Sequence, residues 1–307
     1  MGAEAAQAAR AAPAPLRLFV GAVEGRAEGS AGPTLAPGAA FDLPDAAAAH
    51  VKVRRLQPGA TLQLFDGTSG DDWPAVVQAI GRGAVGVRVG VAPVPAPAAE
   101  LPVAVALAFG MPANERVDAL VEKATELGVA ALWPLISERT VLRLQGERAE
   151  RRRAHWQAVA AAACEQCGRA RVPRVHAVQS MAAWLGEQRG PQRAGHEDGA
   201  PSSARWLLST RPEAPALAAQ AAPAIERWAS PAAEPGRSAS PWPGGSVVVL
   251  SGPEGGLAPA ETEAALAAGF SAVSLGPRVL RADTAPLAVL AWLGIALAQR
   301  PGPKSGA

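Results

Sequence analysis

Val247-Val248-Val249-Leu250-Ser251-Gly252-Pro253-Glu254-Gly255-Gly256 decides the fold. The apolar run at its start reads as a buried strand, and the glycines that follow read as a turn. Pro259, a little further on, suits the first position of a helix, where its missing N–H costs nothing. In an open α/β sheet such turns leave the carboxyl ends of the strands, and ligands bind in the crevice there. Glycine also lets a ligand come close to the main chain. The turn is no phosphate loop: neither Lys-Ser nor Lys-Thr follows, and Gly252, Gly255 and Gly256 do not make G-x-G-x-x-G. Taken alone, it fits a tight strand-to-helix connection without a ligand equally well.

One helix later the same arrangement recurs. Ala272-Val273-Ser274-Leu275 runs into Gly276-Pro277-Arg278-Val279-Leu280-Arg281-Ala282-Asp283-Thr284 and then into the apolar run 285–298. Two such loops at one sheet edge can build a site, to which Arg278, Arg281, Asp283 and Thr284 bring charge and hydrogen-bonding capacity. The structural alternative is an Arg281–Asp283 pair at the helix start, where an acidic residue favours the dipole. The run 285–298 is shorter than the roughly 20 residues that cross a bilayer, so it is expected to form a buried helix. Upstream, the apolar run 103–109 precedes a helical stretch at 114–127. Strands are expected at 130–136, 206–209, 247–250 and 272–275, with a long arginine-rich helix at about 147–167. This alternation predicts an α/β domain with a mostly parallel sheet.

Towards the N-terminus the pattern changes. LRLFV, HVKVRRL, TLQLFDG, DWPAVVQAI and GAVGVRVGV are short runs broken by Gly and Pro, the sign of a small β-barrel. Residues 92–102, with four prolines, read as a stiff linker. The expected organisation is a disordered tail at 1–15, a barrel at 16–96 and the α/β domain at 97–300, with mobile insertions near 188–204 and 230–245. Two domains suit 307 residues, and an apolar content of 49% supports a sizeable, mostly aliphatic core in a chain without tyrosine. A formal net charge of +2 is too small to announce nucleic acid by itself. Of the 29 basic residues only Lys52, Lys123 and Lys304 are lysines, so the positive charge is almost all planar guanidinium. Cys164 and Cys167 make no disulfide framework, and no apolar signal core follows the N-terminus, so the expected location is cytoplasmic.

Together, LSGPEGGL, LGPRVLRADTA, VEKATELGV and CEQCGRARVP resemble the 16S ribosomal RNA uridine-N3 methyltransferases of the SPOUT superfamily, over about residues 16–300. The resemblance implies a PUA-like N-terminal barrel for RNA and a C-terminal trefoil-knotted α/β domain that binds S-adenosylmethionine. It also implies a homodimer and, as substrate, 16S rRNA or the assembled 30S subunit, with no membrane and no metal. The cofactor residues it implies are Ser251, Gly252, Pro253, Glu254, Gly255 and Gly256, then Leu275, Gly276, Pro277, Val279, Leu280 and Thr284, with Ser209 and Thr210 as a third wall. Ala282 and Asp283 depart from the Thr and Glu usual in the family.

Uracil N3–H is weakly acidic, so a cation that stabilises the developing uridinate would lower the barrier. Arg281 is the first candidate and Arg169 the second, with Glu254 or Asp283 as proton acceptor. Arg169 and Arg171 are also expected on the RNA-facing surface, and Arg17, Lys52, Arg54 and Arg55 give the barrel a basic side for phosphates. Arg148, Arg151, Arg152 and Arg153 read as a solvated helix face. His155, Cys164, Cys167 and His176 imitate a zinc set, but their spacing straddles a helix, and no metal is expected. His50 is placed ahead of a barrel strand.

Overall fold

The computed structural model describes residues 15–22, 32–95, 99–188, 202–229, 242 and 245–298. They belong to two compact units that divide between residues 96 and 97. The first contains β1 (Leu16–Phe19), β2 (Ala40–Asp42), α1 (Asp45–Val53), β3 (Thr61–Phe65), β4 (Asp71–Ile80), β5 (Val85–Val89) and β6 (Val94–Pro95). Its strands run in the order β1-β3-β4-β5-β2, with β6 against β4, and only β1–β3 is parallel. Alternate residues such as Leu62 and Leu64, and Val85, Val87 and Val89, point into one core with Leu18, Ala47 and Val51.

Two expectations change in this unit. HVKVRRL is not a strand: its first part closes α1, whose start is the alanine-rich run after Pro44. Alanine is the strongest helix former, and Pro44 can sit before a helix but not inside one. The barrel is completed instead by β2, which pairs with β5. Part of the expected linker is also ordered, because Val94 and Pro95 form β6 against Asp71 and Asp72.

The second unit contains β7 (Ala104–Gly110), α2 (Asn114–Glu126), β8 (Ala131–Ile136), α3 (Gly146–Cys167), β9 (Arg174–Val175), β10 (Gln179–Ser180), α4 (Met181–Gln188), β11 (Ser202–Leu208), α5 (Leu217–Ala229), β12 (Ser246–Ser251), α6 (Pro259–Ala267), β13 (Ser271–Val273) and α7 (Thr284–Ala298). The sheet order is β10-β8-β7-β12-β11-β13, with β9 beside β8, and every pairing is parallel. β7 and β12 lie at its centre and are buried at every residue, as a parallel sheet covered on both faces requires. Val105, Leu107, Phe109, Val247 and Val249 pack with α2, α3, α5 and α7. Ala106, Ala108, Val248 and Leu250 face Trp184 and Leu185 of α4 and Ala265 of α6.

From β7 the chain builds outward through β8 on one side, while β11, β12 and β13 occupy the other. The loops after these last three strands therefore gather at one carboxyl edge. α4 and α5 have no counterpart among the expected elements. Pro223 inside α5 interrupts the helical signal. β11 begins at Ser202, within the stretch expected to be an insertion. The tail at 1–14 and the segments 189–201, 230–241 and 243–244 lie outside the described residues.

Candidate active site

The loops after β11, β12 and β13 enclose a cavity of about 1040 Å³. Ser209 and Thr210 line it from the first loop, residues 251–256 from the second, and Leu275, Gly276, Pro277, Val279, Leu280 and Arg281 from the third. The expected cofactor residues thus share one wall system, apart from Thr284, which is exposed at the start of α7 and does not line the cavity. Sequence reasoning missed Arg139, Arg211, Leu257 and Thr262, which also line it. Arg139 follows β8, so the rule that ligands sit at the carboxyl edge of such a sheet could have marked it.

The small size of the glycines here also serves the packing of the loop itself. A Cβ on Gly252 would lie 3.0 Å from Gly256 C and Leu257 N, inside its own loop. One on Gly110, at the end of β7, would come 2.5 Å from Pro253 Cδ and 2.7 Å from Pro253 N. Both positions are therefore small so that the loop can close on itself and on β7, and not only so that a ligand can approach. Gly276 has φ +105, which L side chains rarely adopt.

Polar contacts brace the same loop. Arg139 donates from Nη1 to Gly255 O at 3.0 Å. Arg116 donates to Glu254 Oε1 at 3.2 Å, and the Ala113 N–H reaches the same oxygen at 3.3 Å. Glu254 lines the cavity but is tied to the β7–α2 connection, an arrangement that favours a bracing carboxylate over a free base. Among the described residues, Ser251 Oγ and Asp283 Oδ1 are buried without a hydrogen-bond partner. A buried acceptor left unpaired is costly, so Ser251, on the cavity wall, suits a ligand that supplies the missing bond.

Arg281 is exposed on the rim. Its carbonyl accepts from the Thr284 and Ala285 N–H groups at 3.0 Å each, and among the described residues no ion pair joins it to Asp283. Arg169 is a correction: it is 1% exposed, with Nη2 and Nε donating to Glu100 Oε2 at 2.7 and 3.0 Å and Nη1 to Thr125 O at 2.9 Å. A guanidinium spent in this way inside the fold can face neither uracil nor RNA. Arg171 is half-buried, and its N–H donates to Glu100 Oε1.

Arg17 is the second correction. Its guanidinium forks onto Asp72 at 2.7 and 3.0 Å and lies 3.8 Å over the Phe65 ring, which takes it away from phosphates. Lys52 donates to Arg82 O, whereas Arg54 and Arg55 stay exposed. His50 lies on α1, not ahead of a strand.

The zinc-like set is dispersed. His155 Nε2 pairs with Asp118 Oδ2 at 3.0 Å, and His176 stacks on Trp133. Among the described residues no group of three or more His, Cys, Asp or Glu side chains is placed to hold a metal. Cys164 and Cys167 share a hydrogen bond that, with burial, pushes the Cys164 thiol upward, while the same bond, against the effect of burial, brings Cys167 down to about 6. No described helix is long and apolar enough to cross a membrane.

A parallel sheet with a glycine-looped cavity at its edge, joined to a small and mostly antiparallel unit, is the organisation of an RNA methyltransferase. The profile of the RNA methyltransferase domain family matches residues 99–294, and that of the RNA methyltransferase PUA domain matches residues 43–89. Ribosomal RNA small subunit methyltransferase E of Mycobacterium bovis is 33% identical over 79% of this chain and 81% of its own length. Its counterpart from Synechocystis is 31% identical over 80% of this chain and 69% of its own. A crystal structure of the Neisseria gonorrhoeae enzyme of the same name, bound to S-adenosyl methionine, superimposes with a TM-score of 0.69 at 31% identity, covering 91% of this chain and 96% of that one. The chain belongs to the ribosomal RNA small subunit methyltransferase E family.

Proposed function

We propose that this protein methylates N3 of one uridine in 16S rRNA, with S-adenosylmethionine as donor and as a homodimer whose C-terminal loops form a trefoil knot. The observation that carries the reading is the cavity walled by residues 251–256 and 275–281, with the exposed Arg281 on its rim. The related gonococcal structure, bound to S-adenosyl methionine, supports the choice of cofactor. When bound, the cofactor supplies an electrophilic methyl group on a sulfonium. Ser251 Oγ and the glycine-rich main chain would hold it there. Leu207, Leu257, Leu275 and Leu280 keep water from the buried part of the cavity.

Arg281 stabilises the negative charge that develops on uracil as N3–H is lost, without reorganising. Glu254 is tied to Arg116 and Asp283 does not line the cavity, so the proton leaves to solvent at the open mouth. Arg54 and Arg55 of the first unit take phosphates. α7, an apolar helix that leaves Ile295 58% exposed, supplies the symmetric contact. The deciding experiment incubates 30S subunits and naked 16S RNA with enzyme and cofactor, then maps the product by nucleoside mass spectrometry. N3-methyluridine is expected. A ribose-methylated product, or none from either substrate, overturns the reading.

A further inference from the structure

We propose that the cavity mouth is a two-sided phosphate bracket, with Arg139 on one side and Arg211 and Arg278 on the other, gripping the RNA strand around the target nucleotide. This rests on RNA being the substrate of this cavity and adds which residues hold its backbone.

The cavity, at about 1040 Å³, is as large as the upper end of the usual small-ligand range of about 300–1,000 Å³, so it has room for part of a second ligand beside one cofactor. Its rim is strongly cationic. Arg139, Arg211, Arg278 and Arg281 all line it and are all exposed, in a chain whose formal net charge is only +2. The acidic residue on the lining is Glu254, and Arg116 already neutralises it. Among the described residues neither the Arg211 nor the Arg278 guanidinium makes a hydrogen bond or ion pair, and the Arg211 backbone N–H donates to Ser209 Oγ. Arg139 spends one donor on Gly255 O and keeps the rest of its fork. Planar guanidinium groups left without an acid are suited to bidentate phosphate contacts.

Placement separates these cations. Arg139 follows β8 and Arg211 follows β11, and the order β8-β7-β12-β11 sets their strands three spacings apart, about 14 Å. The two guanidinium groups thus approach the mouth from different sides, and a strand crossing it can present successive phosphates to each. Such contacts carry no sequence information but fix register, which is what a base delivered to a deep pocket needs.

The test measures binding of the full-length protein to a labelled 16S rRNA fragment across a potassium chloride series. Arg211→Gln and Arg278→Gln should each weaken binding and flatten the log–log salt slope by about 0.7, as expected for one lost contact to a single strand. Arg139→Gln should do the same, while Arg139→Lys should restore the slope because charge is retained. S-adenosylmethionine affinity by calorimetry and Tm should not change in the Arg211 and Arg278 variants. Arg227→Gln, on α5 and outside the cavity lining, should leave the slope as it is. If the parent methylates rRNA but the Arg211/Arg278 double variant keeps its slope, the bracket is wrong and the substrate reading stands. Cofactor affinity or Tm falling in parallel with RNA binding would make these arginines loop supports and overturn the bracket. A parent without salt-dependent RNA binding would remove both.

Discussion

Arg281 and Arg169 looked alike as residues, and the structure gives them opposite fates. Arg281 stands on the cavity rim, and among the described residues its guanidinium makes no hydrogen bond or ion pair. Arg281→Ala should therefore lower the single-turnover methylation rate by about a hundredfold or more, as for loss of one preorganised charge-stabilising group, with cofactor affinity and Tm nearly unchanged. Raising the pH should narrow the gap, because solvent base then removes the proton whose loss the arginine had eased. A parallel fall in rate, affinity and Tm would end the catalytic assignment. Arg169, in contrast, holds Glu100 and Thr125 inside the fold. Removing one partner of a buried pair costs about 3–5 kcal/mol. Arg169→Ala should fall near the lower figure because the Glu100 side chain keeps 23% exposure. Denaturant unfolding reads this cost, and RNA affinity measured where the variant is folded should not move. A variant of parental stability with lost RNA binding would restore the surface role.

At the scale of elements, the cavity is only as well formed as the contact between the end of β7 and the loop after β12. Gly110 leaves no room for a side chain, since its Cβ would come 2.5 Å from Pro253 Cδ. Gly110→Ala should displace the loop, so that calorimetry shows cofactor affinity falling about tenfold or more while the two-state melt is retained, a cost of the kind seen for overpacking, about 1–3 kcal/mol. Unaltered affinity in this variant would show that loop and strand end do not depend on each other. The segment was legible as strand, turn and helix because local pattern sets each of these. That Gly110 is its counterpart was not legible, because the two are brought together only by the β7–β12 pairing.

For the whole molecule, the apolar α7 has one face in the core, through Val289, Leu290 and Leu293, and leaves Ile295 exposed. Ile295→Asp should shift the mass in analytical ultracentrifugation from dimer towards monomer, with secondary structure retained, since a carboxylate cannot be buried in a symmetric apolar contact without a partner. A parent that is monomeric at micromolar concentration would sink the dimer.

The sequence by itself determined the strands β7, β8, β11, β12 and β13, though not the helices α4 and α5 between them, because buried parallel strands are continuous apolar runs that need no partner to be recognised. Glycine and proline also mark the loops after β12 and β13 locally, whereas the loop after β11 was implied by the family resemblance alone. Sequence alone misread HVKVRRL, where an alanine-rich approach outweighed β-branched residues. Only the tertiary structure decided which arginines are spent inside the fold and which reach the cavity rim. Arg169 meets Glu100 across 69 residues of chain and Arg17 meets Asp72 across 55, whereas Arg139, Arg211 and Arg278 reach the same rim from three different strand ends. A guanidinium has the same charge wherever it stands, and its work is set by the acid, carbonyl or open water that the folded chain places before it.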